Sequence, residues 1–219
     1  MILETTKSKT VLKFIIDNQP MYNNEKYYYF WIIDIEEETD ITKAISFFEE
    51  IFIDAIFIKY EGIYLMFYFQ DVEFEMENII ASLIDDLSFK INIYASSKVD
   101  AKDNESFHTI YKLYNQYLNH KSKFYSTNLD LVSEIVRINI SNIKKIKPII
   151  LNKILEDPQM EVLIQAMFNN NLNVTKTASS VYMHRNTVIK KLEYIKKETG
   201  LNIQRFIDAN IMYWLLKIK

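Results

Sequence analysis

Between Asn173 and Gly200 the chain reads NVTKTASSVYMHRNTVIKKLEYIKKETG, and the spacing of its apolar residues permits few folds. Asn173 suits an N-cap, because its short side chain accepts a bond from an otherwise unpaired first-turn amide. Val174, Ala178 and Val181 then place apolar positions on one side of a short helix and its turn. Ala178 is small where two helices must approach closely. A second helix begins at or beside His184, with Val188, Leu192 and Ile195 at i, i+4 and i+7. If those three point inward, Arg185, Asn186, Thr187, Lys190 and Lys191 are left outside. Gly200 stops the helix in the left-handed position that glycine fills cheaply. A short helix, a tight turn and a second helix with a basic outer face suit insertion into the major groove of double-stranded DNA.

Charge along the chain fits that expectation. The net charge is −3, yet residues 141–219 carry 13 Lys and Arg against 6 Asp and Glu, which leaves 13 against 23 in residues 1–140. An acidic N-terminal part joined to a basic C-terminal module is the footprint expected of a sensor or scaffold attached to a DNA-binding element. There is no cysteine, so disulfides and thiolate metal sites are excluded. Three scattered histidines, His108, His120 and His184, give no reason to expect a metal site. No apolar run is long enough to span a bilayer and no signal-peptide pattern opens the chain, so a cytoplasmic, nucleoid-associated location with no membrane partner is expected.

Ahead of the basic module the pattern is α+β. The run YYYFWII (27–33) reads as a buried strand, and Ile41, Ala44, Ile45 and Phe48 follow at helical spacing after a Thr39/Asp40 cap. Segments 53–60 and 63–69 read as strands joined at Glu61-Gly62, a hairpin turn. A helix over 71–87 with Ile79, Ile80, Leu83 and Ile84 inward, a strand over 90–96 and a helix over 107–118 complete the order, with a short edge strand near Phe124-Tyr125. The order β-α-β-β-α-β predicts a ferredoxin-like sandwich, two helices on one face of an antiparallel sheet. Along 63–69, Ile63, Leu65, Phe67 and Phe69 are expected to face those helices. Tyr64, Met66 and Tyr68 would line the other face, covered by a neighbouring segment such as Val11–Ile16. Residues 127–156, broken near Pro148, read as connecting helices. Asp157-Pro158 opens a supporting helix with Met160, Leu163, Ile164 and Met167 inward. A last helix over 203–218 carries Phe206, Ile207, Ile211, Trp214 and Leu215.

The block VYMHRNTVIKKLEYIKKETGLNI (181–203) resembles the C-terminal helix-turn-helix of the PucR/CdaR group of bacterial transcription regulators. That group shows an aromatic-aliphatic-His-Arg-Asn-Thr-aliphatic run followed by a basic helix and a Thr-Gly-Leu-like stop. More broadly the block is similar to the DNA-binding helices of the nucleoid protein Fis. In that comparison Asn173, Thr175, Lys176, Arg185, Thr187, Lys190 and Lys191 fall on matching positions. Ile189 departs, standing where Fis-like proteins often place a basic residue. The resemblance implies a degenerate GGDEF-like domain over 1–126 and a helix-turn-helix domain over 157–219. In active diguanylate cyclases the corresponding hairpin carries Gly-Gly-Asp/Glu-Glu-Phe. Lys59-Tyr60-Glu61-Gly62-Ile63-Tyr64 has one glycine and one acid, so no cyclase activity, catalytic residue or cofactor is expected.

The expected function is therefore a sequence-specific, dimeric, non-enzymatic regulator of transcription. Arg185 is the first choice for base readout, because an arginine fork matches O6 and N7 of guanine. Asn186 suits adenine or a phosphate, and Thr187 a phosphate or a thymine methyl. Lys190, Lys191, Thr175 and Lys176 suit backbone phosphates. His184 is read as a cap or backbone contact. A small molecule or protein acting on the acidic domain is a compatible effector. The alternatives are an architectural DNA binder with little sequence preference and a nucleotide-sensing signalling protein.

Overall fold

The structure is a computed structural model that describes residues 5–35, 38–72, 76–87, 91–119 and 123–218. It divides into two compact units, Met1–Thr127 and Asn128–Lys219. By sequence the first holds 12 Lys and Arg against 21 Asp and Glu, and the second 14 against 8.

The N-terminal unit opens with helix α1 (Thr6–Asp17), capped by Thr5, whose hydroxyl accepts from the Ser8 amide at 3.0 Å. Strand β1 (Tyr27–Ile35), helix α2 (Glu38–Ile51), the hairpin β2 (Ile56–Tyr60) and β3 (Ile63–Tyr68), helix α3 (Met76–Leu87) and strand β4 (Ile91–Ala95) follow. Strand β5 (Val99–Asp100), helix α4 (Glu105–Tyr117) and strand β6 (Tyr125–Thr127) complete the unit. The sheet order is β2-β3-β1-β4-β6, with β5 also paired to β1. The first four strands are antiparallel in the ferredoxin-like order, and β6 adds to β4 in parallel at the edge expected near Phe124-Tyr125.

β1 lies in the middle with consecutive residues from Tyr28 to Ile33 buried, because helices cover both faces. Its odd-numbered residues Tyr29, Trp31 and Ile33 join Ile41, Ala44, Ile45, Phe48, Phe52 and Ile80 of the α2 and α3 side. Trp31 meets Phe48 and Phe52 edge-on at 5.2 and 5.0 Å. The even-numbered face is closed by α1 and α4. Phe14 packs on Tyr28 at 5.6 Å, and Phe107 packs on Phe30 and Phe67 at 5.2 and 5.9 Å. The Asn104 side-chain amide and the His108 ring meet the Ile15 carbonyl at 2.6 and 2.9 Å, tying α4 to the end of α1. Aromatic pairs stand directly opposite across β1 and β3, with Tyr29 stacked on Tyr68 at 5.0 Å and Phe30 on Phe67 at 5.8 Å.

The structure reverses the expected faces of β3. Tyr64, Met66 and Tyr68 pack into the α2–α3 side, whereas Phe67 faces α4. The sheet is covered on both sides, so its second face is a second core rather than an open surface. α1 does contribute to that cover, but over the face opposite to the one expected. α2 begins at Glu38, so Thr39 and Asp40 lie inside the helix rather than capping it. Residues 73–75 and the Leu83 side chain are outside the described residues. At the β2–β3 turn, Glu61 and Gly62 both take positive φ (49° and 85°), as a two-residue hairpin loop requires.

The C-terminal unit is all helical. It contains α5 (Asn128–Asn139), a short 3-10 turn, α6 (Ile143–Ile150), α7 (Asn152–Leu155), α8 (Pro158–Asn169), α9 (Val174–Ser180), α10 (Arg185–Thr199) and α11 (Phe206–Lys217). The stretch 128–155 packs within this unit, with Leu131, Ile135, Ile143, Ile146 and Ile150 buried. Pro148 sits inside α6, and the break comes three residues later at Leu151. The Lys147 ammonium donates to the Leu216 and Ile218 carbonyls at 3.4 and 3.0 Å, closing the negative end of α11. Of the residues expected along the last helix, Ile211 and Leu215 are buried, while Phe206 and Ile207 are exposed at its start.

Burial also sets how this fold responds to base. Burial pushes the Tyr28 and Tyr68 hydroxyls far above the ordinary tyrosine value of about 10, with Asp103 and Asp100 adding at Tyr28. Tyr114 is pushed up to about 12, mainly by burial and then by Asp34. Between these values the unfolded chain releases phenolic protons that the folded chain holds, so stability is intact below pH about 10 and falls above it. A tyrosinate absorbance titration followed beside circular dichroism should show cooperative loss of the N-terminal sheet in that window. Smooth ionisation of every tyrosine with the sheet intact would contradict the packing.

Candidate nucleic-acid interface

α9 and α10 form a helix-turn-helix whose geometry follows from caps and a narrow apolar stripe. The Asn173 side chain accepts from the Lys176 amide at 3.0 Å, as an N-cap should. Upstream, the Asp157 carboxylate caps α8 by accepting from the Gln159 amide at 2.9 Å. The α8–α9 turn places Asn171 and Leu172 at positive φ, and the Leu172 amide donates to the Met167 carbonyl at 2.8 Å. The Asn170 side-chain amide reaches the Ala166 carbonyl and the Ser180 hydroxyl at 2.8 and 3.0 Å, locking α8 to the end of α9.

Thr177 and Ala178 are the buried residues of α9. The Met183 amide donates to the Ala178 carbonyl at 2.9 Å, and His184 then caps α10 through Nδ1, which accepts from the Asn186 amide at 3.2 Å. His184 is thus engaged as the helix cap. Val188, Leu192 and Ile195 are buried along α10, joined by Thr199. The Thr199 hydroxyl donates to the Ile195 carbonyl at 2.7 Å and accepts from the Leu201 amide at 3.1 Å. Gly200 ends the helix at φ 74°, its amide on the Lys196 carbonyl at 2.8 Å.

The buried stripe fixes the rotation of α10, and the rotation decides which side chains reach outward. Arg185, Asn186, Thr187 and Lys190 are all exposed. At about 100° per residue, Asn186 and Lys190 lie nearly opposite Val188 and Leu192. One further step carries Lys191 to the seam. It is half-buried, with its ammonium 4.0 Å from the Asp157 carboxylate, so it leans on the supporting helix rather than standing beside Lys190. Ile189 is half-buried on the other flank. Thr175 and Lys176 are exposed in the first turn of α9, and the exposed Asn173 uses its side-chain oxygen in the cap.

Eight of the nine expected side chains therefore stand exposed around one helix pair, with Lys191 turned towards the seam. Two features went unread in the sequence. Tyr182, in the turn, is 97 % exposed at φ 54°, and no local sequence signal marks a tyrosine for the left-handed region. Lys147 is the other, because its partners are carbonyls about 70 residues away. Among the described residues no group of three or more His, Cys, Asp and Glu side chains is placed to hold a metal ion, and no helix is long and apolar enough to cross a membrane.

Residues 162–218 match the family of PucR C-terminal helix-turn-helix domains. No curated protein sequence matches the chain. Among solved structures, the crystal structure of a regulator of polyketide synthase expression from Bifidobacterium adolescentis is similar at 12% identity. That likeness covers 87% of this chain and 79% of the other, at a TM-score of 0.37.

The caps give a direct test of the site's scaffold. Asn173→Ala should lower stability by about 1 kcal/mol, moving the urea midpoint down with little change in slope, whereas Asn173→Asp should hold it. Equal midpoints for the alanine variant and the wild type would mean that the cap does not hold α9.

Proposed function

Because residues 162–218 belong to the PucR C-terminal helix-turn-helix domains, we propose that the chain is a sequence-specific, non-enzymatic transcriptional regulator that binds DNA as a dimer, with α10 in the major groove. The observation that carries this reading is the joint exposure of Arg185, Asn186, Thr187 and Lys190 on the entry half of α10, with Asn186 and Lys190 opposite the buried Val188–Leu192–Ile195 stripe. Arg185 reads guanine through its two-pronged donor set. Asn186 and Thr187 flank it, on a base edge or a phosphate. Lys190, about one and a half turns further on, neutralises a backbone phosphate. Thr175 and Lys176 reach the opposite strand's backbone. Lys191 contributes less than Lys190, because its charge already faces Asp157.

A single helix-turn-helix covers one half-site, so two copies related by two-fold symmetry and spaced by about one DNA turn fit the reading. The acidic N-terminal unit then serves in pairing or sensing, and the protein works where its DNA is, on the nucleoid. Support for a non-enzymatic role comes from the Glu61-Gly62 hairpin. It carries one glycine and one acid on an exposed two-residue turn, and the preceding Tyr60 ring packs on α4, 5.8 Å from Phe107 and 5.5 Å from Tyr111. Ile189 on the flank of α10 favours a selective regulator over an architectural binder, whose groove face would be basic throughout.

The test is selection of bound duplexes from a random library, followed by affinity measurements on the enriched site. Arg185→Ala should cost about 1–3 kcal/mol, roughly 5- to 150-fold, and relax preference at one position of each half-site. Lys190→Ala should weaken all duplexes alike and reduce the salt slope by about one, and Lys191→Ala should do less. Failure of the wild type to enrich any site would overturn sequence specificity. Undiminished affinity in the Arg185→Ala, Lys190→Ala double variant would overturn the interface.

A further inference from the structure

Tyr182 is the least economical residue of the helix-turn-helix as an isolated fold. It occupies the left-handed region at φ 54°, where a side chain with a Cβ is disfavoured and where Asn, Asp or Gly is the usual occupant. Elsewhere among the described residues, five of the seven other non-glycine positions with positive φ are Asn or Asp: Asn18, Asn23, Asn24, Asp54 and Asn171. Leu172, another exception, is half-buried and its amide makes a 2.8 Å bond. Tyr182 has no such return. It is 97 % exposed, and its amide meets the Ser179 carbonyl at a long 3.4 Å. The fold alone therefore gives no reason for a large aromatic at this point.

Its place supplies a reason. Thr175 and Ser179 are exposed at i and i+4 on α9, and Tyr182 is exposed in the turn that follows it. Tyr182 stands two residues before the His184 cap and three before Arg185, at the entry of α10. Resting on the DNA-binding reading given above, we infer that Tyr182 is a further DNA contact, its hydroxyl donating to a backbone phosphate beside the groove that receives Arg185. A neutral hydroxyl on a phosphate positions the helix without reading sequence. The ring carries that hydroxyl clear of the turn, which Asn or Gly at the same backbone angle could not do. The conformational cost at this turn is thus balanced in the complex rather than in the free protein.

The experiment measures the affinity of the full chain for a mixed-sequence duplex at low salt, by fluorescence anisotropy, for the wild type, Tyr182→Phe, Tyr182→Gly and Arg185→Ala. The phenylalanine variant keeps the ring and the backbone cost and removes only the hydroxyl; glycine frees the backbone. Both should fold with the wild-type circular dichroism spectrum. Both should bind about tenfold more weakly, the lower end for a hydrogen bond to a charged acceptor, with an unchanged salt slope. Wild-type affinity in Tyr182→Phe would overturn the hydroxyl–phosphate contact. If Arg185→Ala weakened binding in the same experiment, the interface would stand without Tyr182. Loss of self-association with DNA affinity kept would place Tyr182 on a protein contact and overturn the inference equally. No binding by the wild type even at low salt would overturn both readings together.

Discussion

The C-terminal unit depends on one packing decision: Val188, Leu192 and Ile195 must leave water together. Burying each is worth about 1.5–3 kcal/mol, so the three fix the rotation of α10 more firmly than any single polar contact could. A rotation of one residue, about 100°, would replace Lys190 by Ile189 or Lys191 at the outer crest. Everything nearby serves that rotation. Ala178 lets α9 approach, the His184 ring and Gly200 terminate the helix at both ends, and Asp157 holds Lys191 at the seam. The outward side chains are consequences of what is buried beneath them.

This explains why the candidate interface was largely legible in the sequence. A 3.6-residue period with polar caps carries its own orientation, since the apolar positions are few and all on one side. The N-terminal sheet offered no such asymmetry. The strand order of the first four strands could be read from segment types and turn lengths. The face assignment of β3 could not, because both of its faces are apolar and alternation alone has no sign. The tyrosines Tyr64 and Tyr68 suggested a wetter face. In the fold, Tyr68 stacks on Tyr29, and the Tyr29 hydroxyl donates to Asp71 at 2.5 Å, so an aromatic ring with a polar tip does fit within that layer. α1 and β5 were missed for a related reason. One is a short helix whose stripe is completed only by the sheet it covers, the other a two-residue pairing with no pattern of its own.

Turns divide along similar lines. With two glycines in the whole chain, most left-handed positions fall to other residues. Gly62 and Gly200 could be assigned as turn and helix stop because glycine is the cheapest occupant there. The asparagines at 18, 23, 24 and 171 belong to the next cheapest class, but asparagine is also common in helices, caps and loops, so its presence does not announce the angle. A tyrosine announces the opposite, and Tyr182 was therefore invisible until the backbone was known.

The distribution of charge gives the two units different electrostatic tasks. A chain with net charge −3 is a poor polyanion ligand by its total. The total is the wrong quantity, however, because charges in physiological salt are screened over about 8 Å. A unit the size of Asn128–Lys219 has an expected radius of gyration of about 12 Å, so carboxylates across one unit's width scarcely reduce the field at α10. The basic side chains exposed on that helix pair are Arg185, Lys190, Lys176, Lys196 and Lys197, with Lys191 already facing Asp157. The acidic unit instead lowers attraction to DNA elsewhere on the chain. An overall acidic balance with one basic helix pair therefore fits the proposed reading through Arg185 better than it fits coating DNA without preference.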